Sequence, residues 1–256
     1  MIKIFRQNMS FQALIVVVLS FAVIMPSIAD EEWSLIINDD IEIEIKSLGD
    51  SQSVGLIWFT CNQGEETTEY QTAQVLLGKG YQVFFPDILS AHFMSPTASN
   101  ISKITTDEAA NVVMDIIQKG KAETYYLVGG ARAAVPVLKA LSDQRIKSIG
   151  QLKGALLLTP RVNKLSPEPG SLPVFVDEIG ESTLAINILE GERTPNRWGL
   201  PYLKSQLSLS GSEVRTGLIK GVRGFFYLRT EKTAMEVEMT EKLPQIIDEN
   251  IQLFNR

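Results

Sequence analysis

The sequence predicts an α/β fold, with a mostly parallel central sheet, helices on both faces and an antiparallel hairpin at its start. Three observations carry this. From residue 53 onward, short apolar runs alternate with stretches of helical periodicity, which is the pattern of strands crossing over through helices into a parallel sheet. Near the chain start, Ile41, Ile43 and Ile45 alternate with Glu42, Glu44 and Lys46, as in a half-buried antiparallel strand. Third, Tyr125-Tyr126-Leu127-Val128-Gly129-Gly130-Ala131-Arg132-Ala133-Ala134 runs from an apolar strand through very small residues into a helix. Small residues are needed where a helix begins so close to neighbouring strands.

Taken in order, Trp33 to Asn38 and Ile41 to Ser47 form the hairpin around Asn38-Asp39-Asp40. Ser53 to Thr60 is continuously apolar, which suits a strand covered on both faces. Thr67 to Leu77 reads as a helix stopped at Gly78-Lys79-Gly80, followed by a strand over Tyr81 to Phe85 and a loop from Ile88 to Pro96. Thr105 and Glu108 have capping-box spacing, and Ala109, Val112, Val113, Ile116 and Ile117 repeat at helical intervals up to Gly120. The strand and helix of the small-residue turn run to about Ser142, and Leu152 to Thr159 is the next strand. Residues 161–183, marked by Pro167, Pro169, Gly170 and Pro173, read as a loop or short lid, with Val174 to Val176 as a candidate short strand. Leu184 to Leu189 and Ser212 to Ile219 are strands, Arg197 to Leu207 is a helix, and Thr240 to Phe254 is a terminal amphipathic helix.

The chain has 256 residues, 45% hydrophobic and 21% charged, a composition that builds one sizeable core. A net charge of −6 lacks the basic footprint of nucleic-acid binding. With one cysteine, Cys61, and one histidine, His92, the chain has no internal disulfide and no zinc site of several His or Cys ligands, and no cofactor motif is present. Lys3 and Arg6 precede an apolar run from Ala13 to Met25 and the small-x-small triplet Ser27-Ile28-Ala29, so residues 1–29 read as an export signal. That run is short of the roughly 20 residues a membrane-spanning helix needs. An uncleaved anchor is the alternative. The expected location is therefore the periplasm or the exterior, with one domain over 30–256.

Four segments, in matching order, resemble the α/β-hydrolase family: Gly80 to Asp87, the turn Val128 to Ala134, Ile188 to Pro195, and Lys220 to Phe226. In that family the turn is a nucleophile elbow of pattern G-x-S-x-G. The resemblance covers nearly the whole of 30–256 and implies the family's fold. It also implies three positions for a Ser-Asp-His triad, and here these are Ala131, Thr194 (with Glu192 nearby), and Arg223 or Gly224. Acyl transfer by that template needs a nucleophile, a base and a group that orients the base. A methyl group cannot attack a carbonyl. The expectation is a degenerate member that binds without catalysis.

Two routes to a binding function follow. The helix after Ala131 presents its N-terminal N–H groups to the site, and Arg132, Arg161, Arg193 and Arg223 all follow strand ends or stand at site positions. Together with Asn62 they are candidate contacts for a small anionic ligand. Alternatively, the apolar segment Leu89 to Ser102 and the proline-rich segment 161–183 dock a partner protein, or simply cover the pocket. Two further readings stay open. One is an atypical esterase or thioesterase using Cys61, which ends a strand, or His92, which lies on the ligand-binding rim. The other is a structural accessory subunit.

Overall fold

The computed structural model describes residues 30–37, 41–61, 64–165, 168 and 170–255. The expected export signal, the hairpin turn at Asn38 to Asp40, and Asn62 lie outside them. The chain runs β1 (Glu31–Ile37), β2 (Ile41–Leu48), β3 (Val54–Phe59), α1 (Thr68–Leu77), β4 (Tyr81–Pro86), α2 (Ile88–Ala91), α3 (Ala98–Ile101), α4 (Thr106–Lys119), β5 (Thr124–Gly130), α5 (Ala134–Ser142), α6 (Gln144–Lys147), β6 (Leu152–Leu158), β7 (Ala185–Gly191), α7 (Leu200–Leu207), β8 (Val214–Ile219), α8 (Ala234–Glu241) and α9 (Leu243–Gln252). The eight strands form one sheet in the order β1-β2-β4-β3-β5-β6-β7-β8. Only β2 runs against its neighbours; β4, β3, β5, β6, β7 and β8 are mutually parallel. The hairpin register pairs Glu31 with Ser47 and Ile37 with Ile41.

The period of two along each strand divides the apolar side chains between the two faces of the sheet. Ile57, Phe84, Leu127, Leu157 and Ile188 join one buried cluster with α4, α5 and α7, whereas Leu56, Trp58, Val83, Val128 and Leu156 join another with α1 and α9. Burial on both sides explains why β3 is continuously apolar in sequence and β4 to β7 are mostly so.

Helix ends follow from capping chemistry. The Thr105–Glu108 capping box is present at the start of α4, as its spacing predicts. Elsewhere proline sets the boundaries. The expected helix over 197–207 begins as a 3-10 turn at Pro195–Gly199, and α7 starts only at Leu200 with Pro201 in its first turn. The expected single helix over 240–254 is instead two. A second capping box, Thr233 with Glu236, starts α8, and α9 restarts at Leu243 with Pro244 in its first turn. Proline has no N–H and suits a helix start, not an interior. The segment read as a loop from Ile88 to Pro96 contains the short turn α2, with α3 just after it, and Asp87 caps α2 by accepting from the Ser90 N–H at 3.1 Å. Segment 161–183 folds back on itself: the Lys164 N–H donates to the Val174 carbonyl and the Val176 N–H to the Val162 carbonyl, at 2.8 and 2.9 Å. Phe175 on this finger stacks on Tyr202, ring centroids 5.4 Å apart.

The tightest packing lies at the end of β5. A Cβ at Gly129 would come within 2.7 Å of both the Ala133 carbonyl oxygen and Val137 Cγ2. A Cβ at Gly130 would collide with the Tyr227 hydroxyl and lie 3.1 Å from its Cζ. That hydroxyl is fully buried and has no hydrogen-bond partner among the described residues. Gly130→Ala is therefore expected to lower the urea midpoint, costing about 1–3 kcal/mol. Tyr227→Phe alone should be neutral or stabilising, because it deletes an unpaired buried hydroxyl. The double variant should recover most of the loss, which separates the Tyr227 collision from a general intolerance of the turn.

Candidate functional site

The site forms where parallel strands end together. Register pairs Phe59 with Gly129, Gly130 with Leu158, and Leu158 with Leu189. Cys61, Ala131, Arg161 and Glu190, each just beyond or at those ends, are thereby gathered on one edge. Ala131 occupies the left-handed region at φ 50°, between the extended Gly130 and a 3-10 turn that leads into α5. A non-glycine residue pays for that conformation, on the order of 1–3 kcal/mol. The backbone thus makes the sharp elbow that the sequence implied, with a methyl group at its tip. The Arg161 N–H donates to the Ala131 carbonyl at 2.8 Å and ties the end of β6 to the elbow.

Of the two residues expected opposite the elbow, Gly224 is the one that faces the interior. A Cβ there would lie 3.3 Å from Thr194 Oγ1 and 3.6 Å from Glu190 Oε1. Arg223 turns away to Glu236. Its Nε and one terminal nitrogen donate to the two carboxylate oxygens at 2.7 and 2.6 Å, and its backbone N–H adds a third bond at 3.0 Å. These bonds hold the Glu236 carboxyl well below the usual range and fix the start of α8. Thr194 is buried and caps the 3-10 turn, accepting from the Asn196 N–H at 3.4 Å. The nearest acid is Glu190, 1% exposed, whose Oε1 accepts the Gly191 N–H at 2.8 Å. Burial pushes its carboxyl up to about 7, against the pull of that N–H, of Asn196 and of the Arg161 charge.

The remaining sequence candidates separate. His92 Nε2 bonds Glu108, the acid of the α4 capping box, so the imidazole is engaged with α4. Cys61 is half-buried at the wall of a cavity of about 250 Å³, with Phe59, Thr60, Leu89, Met94 and Ile104. Burial raises the Cys61 thiol, while the backbone N–H groups of Ala133 and Arg132 draw it down. Leu89 and Ile101 of the apolar segment 89–102 are buried over this cavity, whereas Phe93 projects fully into solvent in a left-handed conformation, φ 53°. Arg193 is exposed beside Trp198 and Arg197, on an open groove. Arg132 lies elsewhere, with Arg161: burial and the Arg161 charge both lower its pKa. The Arg161 guanidinium covers the Phe225 ring, 4.6 Å from its centroid. Among the described residues, no group of three His, Cys, Asp or Glu side chains is placed to hold a metal ion.

Sequence reasoning did not single out Glu69 or Tyr227. Glu69 sits in the first turn of α1, where an acid is ordinary, yet it is 4% exposed and burial pushes its carboxyl up to about 7. The Thr68 hydroxyl donates to the Tyr227 carbonyl at 3.0 Å, which brings this helix start against the elbow's backing residue. Glu69 and Glu190 both titrate above their ordinary value of 4.5. Between pH 4.5 and 7 the folded state therefore binds more protons than the unfolded state, and stability falls as pH rises through that window. Each group contributes at most about 3 kcal/mol. The melting temperature should be higher at about pH 5.5, within that window, than at about pH 7.5, above it. Glu69→Gln and Glu190→Gln together should flatten the difference.

The sequence matches no family model and no curated protein. Solved structures do match. Est1E from Butyrivibrio proteoclasticus superposes with a TM-score of 0.54 at 13% identity, over 86% of this chain and 99% of that one. The esterase LipW from Mycobacterium marinum gives 0.59 at 10% identity, over 86% and 81%. An esterase from Rhizomucor miehei gives 0.59 at 10% identity, over 91% and 86%. At such identities the likeness speaks for the fold alone, and with the strand order, the single antiparallel strand and the elbow it makes this chain an α/β-hydrolase-fold protein.

Proposed function

We propose that this is an exported, non-catalytic α/β-hydrolase-like protein that binds a small ligand at the carboxyl edge of its sheet. The observation that carries the reading is the pairing of Ala131, strained at φ 50° on an intact elbow, with Gly224 in front of Glu190 and Thr194. The scaffold that positions a nucleophile and its base is present, and both reacting side chains are absent. Beside it lies the 250 Å³ cavity, walled by both polar and apolar groups and close to the size range of small-molecule sites. Export rests on the charged, apolar and small-residue pattern of residues 1–29.

A second reading has one observation in its favour. Cys61 lines the cavity, and its thiol faces the N–H groups that open the elbow turn. Such a group could act as a displaced nucleophile. Both readings meet in one experiment, hydrolysis of short-chain p-nitrophenyl esters and thioesters by wild type, Cys61→Ala, His92→Ala and Ala131→Ser. The binding reading expects no turnover in the first three. Wild-type turnover that disappears in Cys61→Ala would transfer the function to the thiol. Turnover confined to Ala131→Ser would mean that the pocket and its N–H donors still accept an acyl group.

A further inference from the structure

Resting on the reading that a ligand binds at this edge, we propose that Arg132 is its anchor, with Arg161 as a neighbouring charge, and that the ligand is a small carboxylate monoanion. The two arginines are brought together by the backbone. Arg132 follows Ala131 directly, and the N–H of Arg161 is bonded to the Ala131 carbonyl. Arg161 is then held over Phe225, itself in a left-handed conformation at φ 59° with its N–H donating to Thr159 Oγ1 at 3.2 Å. The backbone thus brings the two residues to the elbow, and the Arg161 charge disfavours that of Arg132, a cost that an anion on Arg132 offsets.

The charges around them do not cancel this. Arg132 lines a pocket of about 490 Å³ together with Lys139, Lys164, Asp177 and Glu178. Lys164 pairs with Asp177 at 2.5 Å and Lys139 lies 3.8 Å from Glu178, so the two lysines and two acids balance. Lys139 is further held by the Ser102 and Ile104 carbonyls, at 2.9 and 2.6 Å. The guanidinium of Arg132 has no hydrogen-bonded or ion-paired carboxylate among the described residues, and it is the one charge in the pocket left over. Glu190, the acid beside Arg161, is buried and half neutral near pH 7, so it is a weak counter-charge. Arg223, by contrast, has its charge fully met by Glu236. One surplus charge backed by a second, on a planar fork, selects a monoanion of carboxylate geometry.

The test is calorimetric titration of the full chain with hexanoate and with its neutral isostere hexanamide, for wild type, Arg132→Gln, Arg161→Gln and the exposed control Lys153→Gln. Melting curves would confirm that each variant folds. Hexanoate should bind at least about tenfold tighter than hexanamide, and Arg132→Gln should erase that preference, a change of about 1.4 kcal/mol. Arg161→Gln should weaken hexanoate by less, and Lys153→Gln should leave both affinities unchanged. Equal affinity for the two probes, with Arg132→Gln indistinguishable from wild type, overturns the anchor while leaving ligand binding intact. Hexanoate binding absent from folded wild type also overturns it. Failure of the non-catalytic reading is seen separately, as wild-type ester turnover.

Discussion

The constraint on which the rest of this structure depends is the close approach of the α5 start and of the Tyr227 side chain to the backbone at the end of β5. Gly129 lies against the first turn leading into α5, and Gly130 lies against Tyr227. Without side chains at these two positions the strand delivers its chain straight into a left-handed residue and then a helix start. The direction of α5, the exposure of Ala131 and the aim of the first N–H groups all follow. So does the position of Arg132, which leaves the elbow on the side facing the end of β6. The elbow's tip carries the methyl group of Ala131, and the residue that follows it is a cation, Arg132.

Charge is distributed around that edge by competition for partners. Arg223 reached Glu236 because α8 begins with a capping box whose acid is almost wholly buried, 1% exposed at the side chain, and a buried carboxylate claims the nearest guanidinium. His92 is claimed in the same way by Glu108, the corresponding acid of α4. Capping boxes, which are local features of helix starts, thus remove two of the candidate site residues from the site. Among the described residues Arg132 and Arg161 have no such partner, and Glu190 and Glu69 are buried deeply enough that ionising them is costly. The edge is left with unanswered positive charge, in a chain whose net charge is −6.

The strands, the α4 capping box, the glycine-alanine elbow and the parallel sheet are legible in sequence because each rests on local physics. Period-two alternation, continuous apolar runs, cap spacing and small residues at a turn act over a few residues and need no knowledge of distant ones. The proline-set helix starts at Leu200 and Leu243 are local as well; there the apolar periodicity ran past Pro201 and Pro244 and hid them.

What the sequence by itself determined is therefore the α/β class, the elbow and the absence of a hydroxyl at Ala131. What only the tertiary structure decided is which charged groups meet. Arg132, Arg161, Arg193 and Arg223 look alike along the chain. Their separation into an elbow pair, a groove residue and a helix-capping partner depends on strand register and on which carboxylate is buried nearby. The same holds for Gly224 rather than Arg223 facing Glu190, and for the Tyr227 hydroxyl behind Gly130. These are contacts between residues far apart in the chain, and their energies depend on burial, which no local pattern encodes.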